Sequence, residues 1–245
     1  MQRYKLTLEY DGTGFVGWQR QAEGIGVQQV VEEAVTSFCG DEALVQCAGR
    51  TDAGVHALGQ VAHVDLSRDW EPGRVRDALN ALVRPHAISV LAVDAVDAEF
   101  HARFSAKERA YEYRILNRRA PPAVERGHVW WVPRELDAEA MDAAAKTLLG
   151  HHDFTTFRAS GCQAKSPDKT LDELQVSRLG ESLVVTARAR SFLHHQVRNM
   201  VGTLALVGEK KWQVDDVEDA LAKCDRRAGG PTAPAEGLYL VRVGY

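Results

Sequence analysis

Residues 47–57 read CAGRTDAGVHA, and they lie between two segments with strand character. A loop between strands is a common place for a protein to display reactive groups. Gly49 and Gly54 give the backbone freedom on either side of Asp52, and the order Asp-Ala-Gly suits a tight turn. Taken alone, this pattern favours a turn role for Asp52, while Arg50 is either a phosphate-binding residue or simply exposed.

Outside this loop, five stretches have the apolar spacing of amphipathic helices. Apolar residues recur at i, i+3, i+4 and i+7, which places them on one face of a helix. Gly40, Pro85 and Gly150 follow the first three stretches and are of the types at which helices commonly end. The predicted helices cover residues 27–38, 75–83, 141–149, 195–207 and 215–223.

Between the helices lie segments with strand character. Tyr4, Leu6, Leu8 and Tyr10 alternate with other residues at a period of two, which predicts a sheet with one buried face. Short apolar or alternating runs bounded by turn-forming residues predict the other strands. The predicted strands cover residues 3–10, 44–48, 59–66, 88–93, 110–116, 174–177, 183–189 and 238–243.

The order of these elements predicts the α+β class. Each half contains a strand, a helix, further strands, a second helix and a strand, although no repeat is visible in the sequence. We expect two similar halves that share a mostly antiparallel sheet, with helices on one face and a cleft on the other. The predicted halves are residues 1–104 and 105–245, joined within 100–107, and the proline-containing stretch 118–122 is a loop of the second half.

Composition describes an ordinary globular chain of 245 residues, of which 45% are hydrophobic. The net charge of −4 does not indicate a nucleic-acid-binding protein. The charge is distributed unevenly along the chain. Residues 182–208 contain three arginines and no acidic residue, and residues 103–119 contain six basic residues and two glutamates. Both runs are compatible with a binding surface or with a solvated face.

The N-terminal residues and the cysteines bear on location. The opening MQRYKLTLEYDG alternates apolar and polar residues, and the chain has no apolar run of the length that spans a membrane. We therefore expect no signal peptide and no membrane span. The four cysteines include no CxxC pair, which predicts reduced thiols and a cytoplasmic protein.

Seven blocks of sequence together resemble one protein family. GRTDAGVHA (49–57) and YDGTGFVGWQRQ (10–21) resemble the TruA family of tRNA pseudouridine synthases, which modify the anticodon stem-loop at positions 38, 39 and 40. The resemblance implies a pseudouridine synthase fold with an RNA-binding cleft, an isomerase without a cofactor, and a homodimer that holds one tRNA across both subunits. The resemblance continues, in order, through FHARFSA (100–106), YEY (111–113), HDF (152–154), FLHHQVRNMVG (192–202) and APAEGLYL (233–240).

The same resemblance implies roles for individual residues. Asp52 corresponds to the essential aspartate and Arg198 to its basic partner. Tyr111 corresponds to the aromatic residue that stacks on the target uracil, and Leu238 to an apolar wall of the pocket. From the residues alone, the pattern favours a core aromatic side chain of an alternating strand for Tyr111, and the surface of an amphipathic helix for Arg198. Arg50 is a further candidate for binding the substrate.

The chemistry of the implied reaction fits these residue types. Pseudouridine forms when the N-glycosidic bond of uridine breaks, the base turns, and C5 joins the ribose C1′. No atom enters or leaves, so a carboxylate and a pocket that retains the detached base are sufficient. Burial would favour a protonated Asp52, and pairing with Arg198 would keep it ionised. The sequence leaves open whether Asp52 attacks C1′, adds to the uracil ring or removes a ribose proton.

Binding a uridine from a stem requires contacts that offset the cost of unstacking it, which is a few kcal/mol. Basic side chains that contact phosphates are the expected source. Histidines are present, but no HxxxH pair or Cys/His cluster indicates a metal site, so no metal is expected. The candidate RNA-binding residues are Arg20, Arg50, Arg103, Lys107, Arg109, Arg158 and Lys165.

Two other functions are compatible with parts of the sequence. A non-catalytic RNA-binding protein could keep the scaffold without the chemistry, but Asp52, Tyr111 and Arg198 are all present. An N-glycosidase would also place a carboxylate near C1′, but no second acid stands out that would activate water. Isomerisation is therefore the favoured prediction.

Overall fold

The structure, a computed structural model, describes residues 1–40 and 42–245. Over these residues the chain forms ten strands and five α-helices. In chain order they are β1 (Gln2–Tyr10), α1 (Val27–Cys39), β2 (Gln46–Cys47), β3 (His56–Leu66), α2 (Pro72–Leu82), β4 (Ile88–Val96), β5 (Glu108–Leu116), β6 (Trp130–Trp131), α3 (Ala138–Lys146), β7 (Gly150–Asp153), β8 (Asp168–Leu179), β9 (Ser182–Ala189), α4 (Gln196–Gly208), α5 (Val214–Ala222) and β10 (Leu238–Gly244).

The chain divides into two compact units. The first comprises Met1–Lys107 together with Tyr239–Tyr245, and the second comprises Glu108–Leu238. Each unit combines helices with a mostly antiparallel sheet, so the predicted α+β class is confirmed. No helix in the described part of the chain is long and apolar enough to cross a membrane.

The sheet of the first unit has the order β4-β1-β3-β10, and β2 also pairs with β3. All pairs are antiparallel except β10 with β3, where Tyr239 is opposite His56. The period-two pattern of β1 is confirmed, since Tyr4, Leu6 and Leu8 are fully buried. The last strand of the chain therefore completes the sheet in which the first strand lies.

Both helices of the first unit follow the sequence pattern. Gly40 ends α1 in the left-handed conformation, with φ 82°, and its N–H donates to the Thr36 carbonyl. Helix α2 packs against β4, and the Asn80 side chain bonds both the N–H and the carbonyl of Val90. These bonds satisfy backbone groups on a strand at the edge of the sheet.

The sheet of the second unit has the order β5-β9-β8-β7, all antiparallel, with β6 parallel to β5. Helix α3 packs against β8 and against α4 and α5. The apolar faces predicted for these helices lie in the core, where Met141, Leu148, Met200 and Leu204 are fully buried. All five predicted helices are thus present, within a few residues at each end.

Some boundaries differ from the sequence prediction. Helix α3 ends at Lys146 rather than near residue 149, because the Thr147 hydroxyl donates to the Ala144 carbonyl and the backbone turns at Gly150, φ 98°. The strand expected at 44–48 is reduced to β2. Strands β6 and β7 were not predicted, since they are short and lack an alternating apolar pattern.

Candidate active site

The predicted turn is present in the loop between β2 and β3. The Val55 N–H donates to the Asp52 carbonyl at 3.1 Å, and Gly54 has φ 77°, which favours glycine. Asp52 is half-buried and Arg50 is exposed. Because main-chain groups close the turn, the closing bond does not depend on the Asp52 carboxylate.

The segment before α1 holds this loop from one side. The Trp18 N–H donates to the Thr51 carbonyl at 3.0 Å, and Gly17 forms an isolated antiparallel bridge with Asp52. Gly17 has φ 109°, and a Cβ there would lie 2.7 Å from the Thr51 oxygen. Only glycine fits this approach without displacing the backbone on which Asp52 sits.

Buried polar side chains of β1 and β3 form hydrogen bonds with the loop. The hydroxyls of Tyr10 and Thr51 are 2.8 Å apart, and the Gln60 amide donates to the Gly49 carbonyl at 2.7 Å. Gln60 is fully buried, and its Oε1 has no hydrogen-bond partner among the described residues. These side chains tie the loop to β1 and β3, so its position follows from the sheet.

His56 links the loop to the last strand. It is 1% exposed, its Nδ1 accepts the Gly12 N–H at 3.0 Å, and its ring stacks on Tyr239 with centroids 4.6 Å apart. The approach is so close that a Cβ on Gly12 would lie 2.1 Å from the Val55 oxygen. These contacts give His56 a structural role in holding the loop.

In the second unit, two tyrosines of β5 have different environments. Tyr113 is fully buried, its hydroxyl donates to the Pro234 carbonyl at 2.7 Å, and burial raises the pKa of its phenol. Tyr111 is only half-buried, and its ring meets Phe192 edge-on at 5.2 Å. Tyr113 therefore is the core aromatic of the strand, whereas Tyr111 retains exposed surface.

The segment that precedes Leu238 packs on β5. A Cβ on Gly237 would lie 2.7 Å from the Tyr113 ring, so the glycine permits close packing there. Leu238 follows at 6% exposure and begins β10. Tyr113 thus holds the segment before Leu238 in place, because its ring packs against Gly237 and its hydroxyl bonds to the Pro234 carbonyl.

Arg198 lies in the first turn of α4. The helix begins after His195, which has φ 61° and ψ 6°, an uncommon left-handed conformation for a residue other than glycine. The Arg198 Nε donates to the Ala233 carbonyl at 2.8 Å, and the Ala233 N–H donates to the Arg198 carbonyl at 3.1 Å. The paired contacts set the direction of the guanidinium group.

Residues without a predicted role hold the segment that contacts Arg198. The buried Asn199 donates to the Phe157 carbonyl at 2.8 Å and accepts from the Thr232 hydroxyl at 2.6 Å. A Cβ on Gly202 would lie 1.8 Å from the Pro231 oxygen, so α4 and this segment touch through backbone. Asn199 and Gly202 belong to the block 192–202, whereas Phe157, Pro231 and Thr232 lie outside the blocks that carry the resemblance.

Five of the candidate RNA-binding residues are exposed. Arg20 lies 3.5 Å from Glu32 and 3.7 Å from Glu33, so acidic neighbours already share its charge. The other exposed candidates are Arg50, Arg103, Lys107 and Lys165.

Arg109 and Arg158 have structural contacts. Arg109 is 7% exposed and donates to the Arg190 carbonyl at 2.5 Å. Arg158 donates to the carbonyls of Cys162 and Ala164 at 2.8 and 2.7 Å, and these bonds close the loop formed by residues 158–164. Both guanidinium groups therefore hold main-chain segments in the second unit.

Comparison with known proteins identifies the family. The tRNA pseudouridine synthase family matches residues 7–105 and 144–245. The chain is similar to tRNA pseudouridine synthase A of Paramagnetospirillum magneticum, with 62% identity over 245 residues, all of this chain and 96% of the relative. For tRNA pseudouridine synthase A of Rhodospirillum centenum the identity is also 62% and covers both chains in full. For that of Azorhizobium caulinodans it is 60%, over all of this chain and 95% of the relative.

The chain belongs to the tRNA pseudouridine synthase family. The predicted family and the predicted class of enzyme, an isomerase, are confirmed. Asp52 and Arg50 lie in the first unit, and Tyr111, Arg198 and Leu238 lie in the second.

Proposed function

We propose that this protein converts uridine to pseudouridine at positions 38, 39 and 40 of the tRNA anticodon stem-loop, with Asp52 as the nucleophile. The proposal rests on the observation that neighbouring residues hold the Asp52 loop in place. Main-chain bonds close its turn, Gly17 bridges Asp52, and the Tyr10 hydroxyl contacts Thr51. A carboxylate on a backbone held in this way is preorganised for a covalent step.

The proposed reaction needs only groups that this chain supplies. Asp52 attacks as its carboxylate, the bond between N1 and C1′ breaks, and the base turns within the pocket. C5 then bonds to C1′, and the bond that Asp52 had formed breaks, which restores the free carboxylate. The proton on C5 is then lost while N1 takes one up, so atoms balance without a cofactor. The family resemblance supports Asp52 as the group that carries the covalent step.

We assign three residues of the second unit to holding and activating the reactants. Tyr111 stacks on the uracil, which its partial exposure allows, and Leu238 provides an apolar wall. Arg198 is assigned to orienting the Asp52 carboxylate, since a guanidinium group can hold a carboxylate by two hydrogen bonds. Its Nε contact with Ala233 supports a role that depends on orientation.

The exposed basic residues are proposed to contact phosphates. Arg20, Arg50, Lys107 and Lys165 are exposed, and acidic neighbours share the charge of Arg20. Arg109 and Arg158 are assigned to structure instead, on their contacts with carbonyls. We further propose that the protein is cytoplasmic and works as a homodimer. Light scattering at working concentrations measures the molar mass and so tests the dimer.

The test uses pre-folded anticodon stem-loops that each carry one uridine, at position 38, 39 or 40, and a matched stem-loop with its uridine elsewhere. After incubation the RNA is digested and its nucleosides are separated. We expect pseudouridine from the first three and unchanged uridine from the control. Release of uracil would instead show hydrolysis, and bound but unchanged RNA would show a protein without catalysis. Equal modification of the control would contradict the proposed positions.

A further inference from the structure

A tight turn at residues 101–105 presents an aromatic side chain to solvent. The Ser105 N–H donates to the His101 carbonyl at 2.9 Å, and the His101 N–H donates to the Ser105 hydroxyl at 3.0 Å. His101 Nδ1 accepts the N–H groups of Arg103 and Phe104, at 3.1 and 3.4 Å. These four bonds leave the turn little freedom.

Phe104, at the tip of this turn, is 72% exposed. Its ring centroid lies 4.3 Å from that of His101, and the Arg103 guanidinium lies 5.6 Å from it, within the range of a cation–π contact. Neighbours on the turn thus hold the ring while most of its surface faces water. The exposed face of the ring is therefore accessible to another molecule.

The base of the turn is anchored in the first unit. The His101 ring packs against the ring of His63, with centroids 4.7 Å apart, and His63 Nδ1 accepts the Ala102 N–H at 3.2 Å. Burial is the largest cause that lowers the pKa of both imidazoles. The rings beneath Phe104 therefore stay neutral and compatible with aromatic packing near pH 7.

The charge around the ring indicates the kind of partner. Residues 101–107 contain Arg103 and Lys107, both exposed, and no acidic residue. Cations beside an exposed ring fit a base together with its phosphate. Aromatic side chains beside basic residues are the usual platform for unpaired bases, which stack on them whatever their identity.

We propose that Phe104 stacks on an unpaired base of the tRNA and that Arg103 contacts the adjacent phosphate. This inference rests on the proposed function only in taking tRNA as the substrate. It concerns binding rather than the isomerisation, since Phe104 belongs to no part of the proposed catalytic machinery. His101 acts as a positioning residue through its contacts with the turn.

The test measures the affinity for full-length tRNA by filter binding. Phe104→Ala and Phe104→Leu should bind about tenfold more weakly than the wild type, because leucine keeps apolar area but cannot stack. Phe104→Trp should bind at least as tightly. Val124→Ala is the matched control, because Val124 is 96% exposed and lies away from this turn in the sequence; its affinity should not change.

Two further measurements keep the inference falsifiable. At saturating enzyme, Phe104→Ala should form pseudouridine at the wild-type single-turnover rate. If the wild-type protein itself forms no pseudouridine, the proposed function is contradicted, and the tRNA affinities alone decide this inference. The second measurement is fluorescence: tRNA should quench the fluorescence of the tryptophan introduced at position 104 more strongly than that of the tryptophan in Val124→Trp.

Unchanged affinity in Phe104→Ala, or equal quenching in the two tryptophan variants, would overturn the proposal. A change of oligomeric state in Phe104→Ala with tRNA affinity intact would also overturn it, since Phe104 would then contact a second copy of the chain.

Discussion

Thr51 and Trp18 are joined by a main-chain hydrogen bond of 3.0 Å, from the Trp18 N–H to the carbonyl of the residue that precedes Asp52. This bond connects the segment 10–21 to the loop 47–57, two blocks that are separate in sequence. The position of the proposed nucleophile therefore depends on residues that take no part in the chemistry. Substitutions at the site residues and at their neighbours should therefore affect the reaction for different reasons.

Asp52→Asn preserves the shape of the side chain and removes its charge and nucleophilicity. We expect the single-turnover rate to fall by at least about four orders of magnitude. Affinity for tRNA should survive, because phosphate contacts supply most of it. The Val55 N–H bonds to the main-chain carbonyl of residue 52, so the turn should remain. A folded variant that binds tRNA and reacts within about tenfold of the wild-type rate would reduce Asp52 to a turn residue.

Arg198→Lys keeps the positive charge but loses the planar group whose Nε bonds to Ala233. A lysine cannot orient a carboxylate by two hydrogen bonds, so turnover should fall by about a hundredfold while tRNA affinity changes little. Rapid-quench kinetics at saturating enzyme, together with filter binding, measure both. If affinity collapses and the chemical step is intact, Arg198 is a phosphate contact instead.

Gly17→Ala tests the approach of the backbone to the loop. The alanine Cβ would lie 2.7 Å from the Thr51 oxygen, at a φ of 109°. We expect a loss of about 1–3 kcal/mol in the free energy of unfolding, measured with urea, and a slower reaction. Gly14→Ala is the matched control, since its Cβ meets nothing within 4 Å. Equal stability of the two variants would show that the loop shifts without cost.

The stability of the first unit should fall on acidification because of His63. Burial, the nearby Arg3 and His101 lower the pKa of His63 from 6.5 to about 4. Between these values the unfolded chain binds a proton that the folded chain does not, so the free energy of unfolding decreases as the pH falls through this window. His63→Asn keeps a hydrogen-bond acceptor for Ala102 but does not titrate there. Urea unfolding across the window should show a shallower pH dependence for this variant; the same slope as the wild type would contradict the assignment.

Tyr111→Leu and Tyr111→Phe separate stacking from burial. Phenylalanine keeps a flat ring, so the stacking role predicts a single-turnover rate within about tenfold of the wild type, and leucine should lose more than that. The unfolding free energy of both variants serves as the control. Equal rates with a clear loss of stability in Tyr111→Leu would make Tyr111 a core aromatic residue like Tyr113.

The sequence predicted features whose causes are local. The 3.6-residue spacing specifies α1 because each apolar residue lies on the same face, and the glycine at position 54 specifies the turn because its φ of 77° suits no other residue as well. The resemblance supplied the site residues, since Tyr111 and Arg198 look like ordinary strand and helix residues when taken alone.

Contacts between distant residues could not be predicted. Asn199 reads as one polar residue of an amphipathic helix, and only the fold brings it to Phe157 and Thr232. The bridge between Gly17 and Asp52 also depends on tertiary structure. Arg109 and Arg158 carry the charge expected of phosphate-binding residues, but charge in a sequence does not show that a guanidinium group already binds carbonyls.

The parallel pairing of β10 with β3 has a consequence for how this protein is made. During synthesis the ribosome releases β3 long before β10, with the whole second unit translated between them. Until β10 emerges, His56 lacks its stacking partner Tyr239, and the first unit lacks one of its strands. Such a non-local contact forms late in folding. The loop that carries Asp52 thus gains its full support only after β10 has been translated, so a nascent chain that ends before β10 lacks that support.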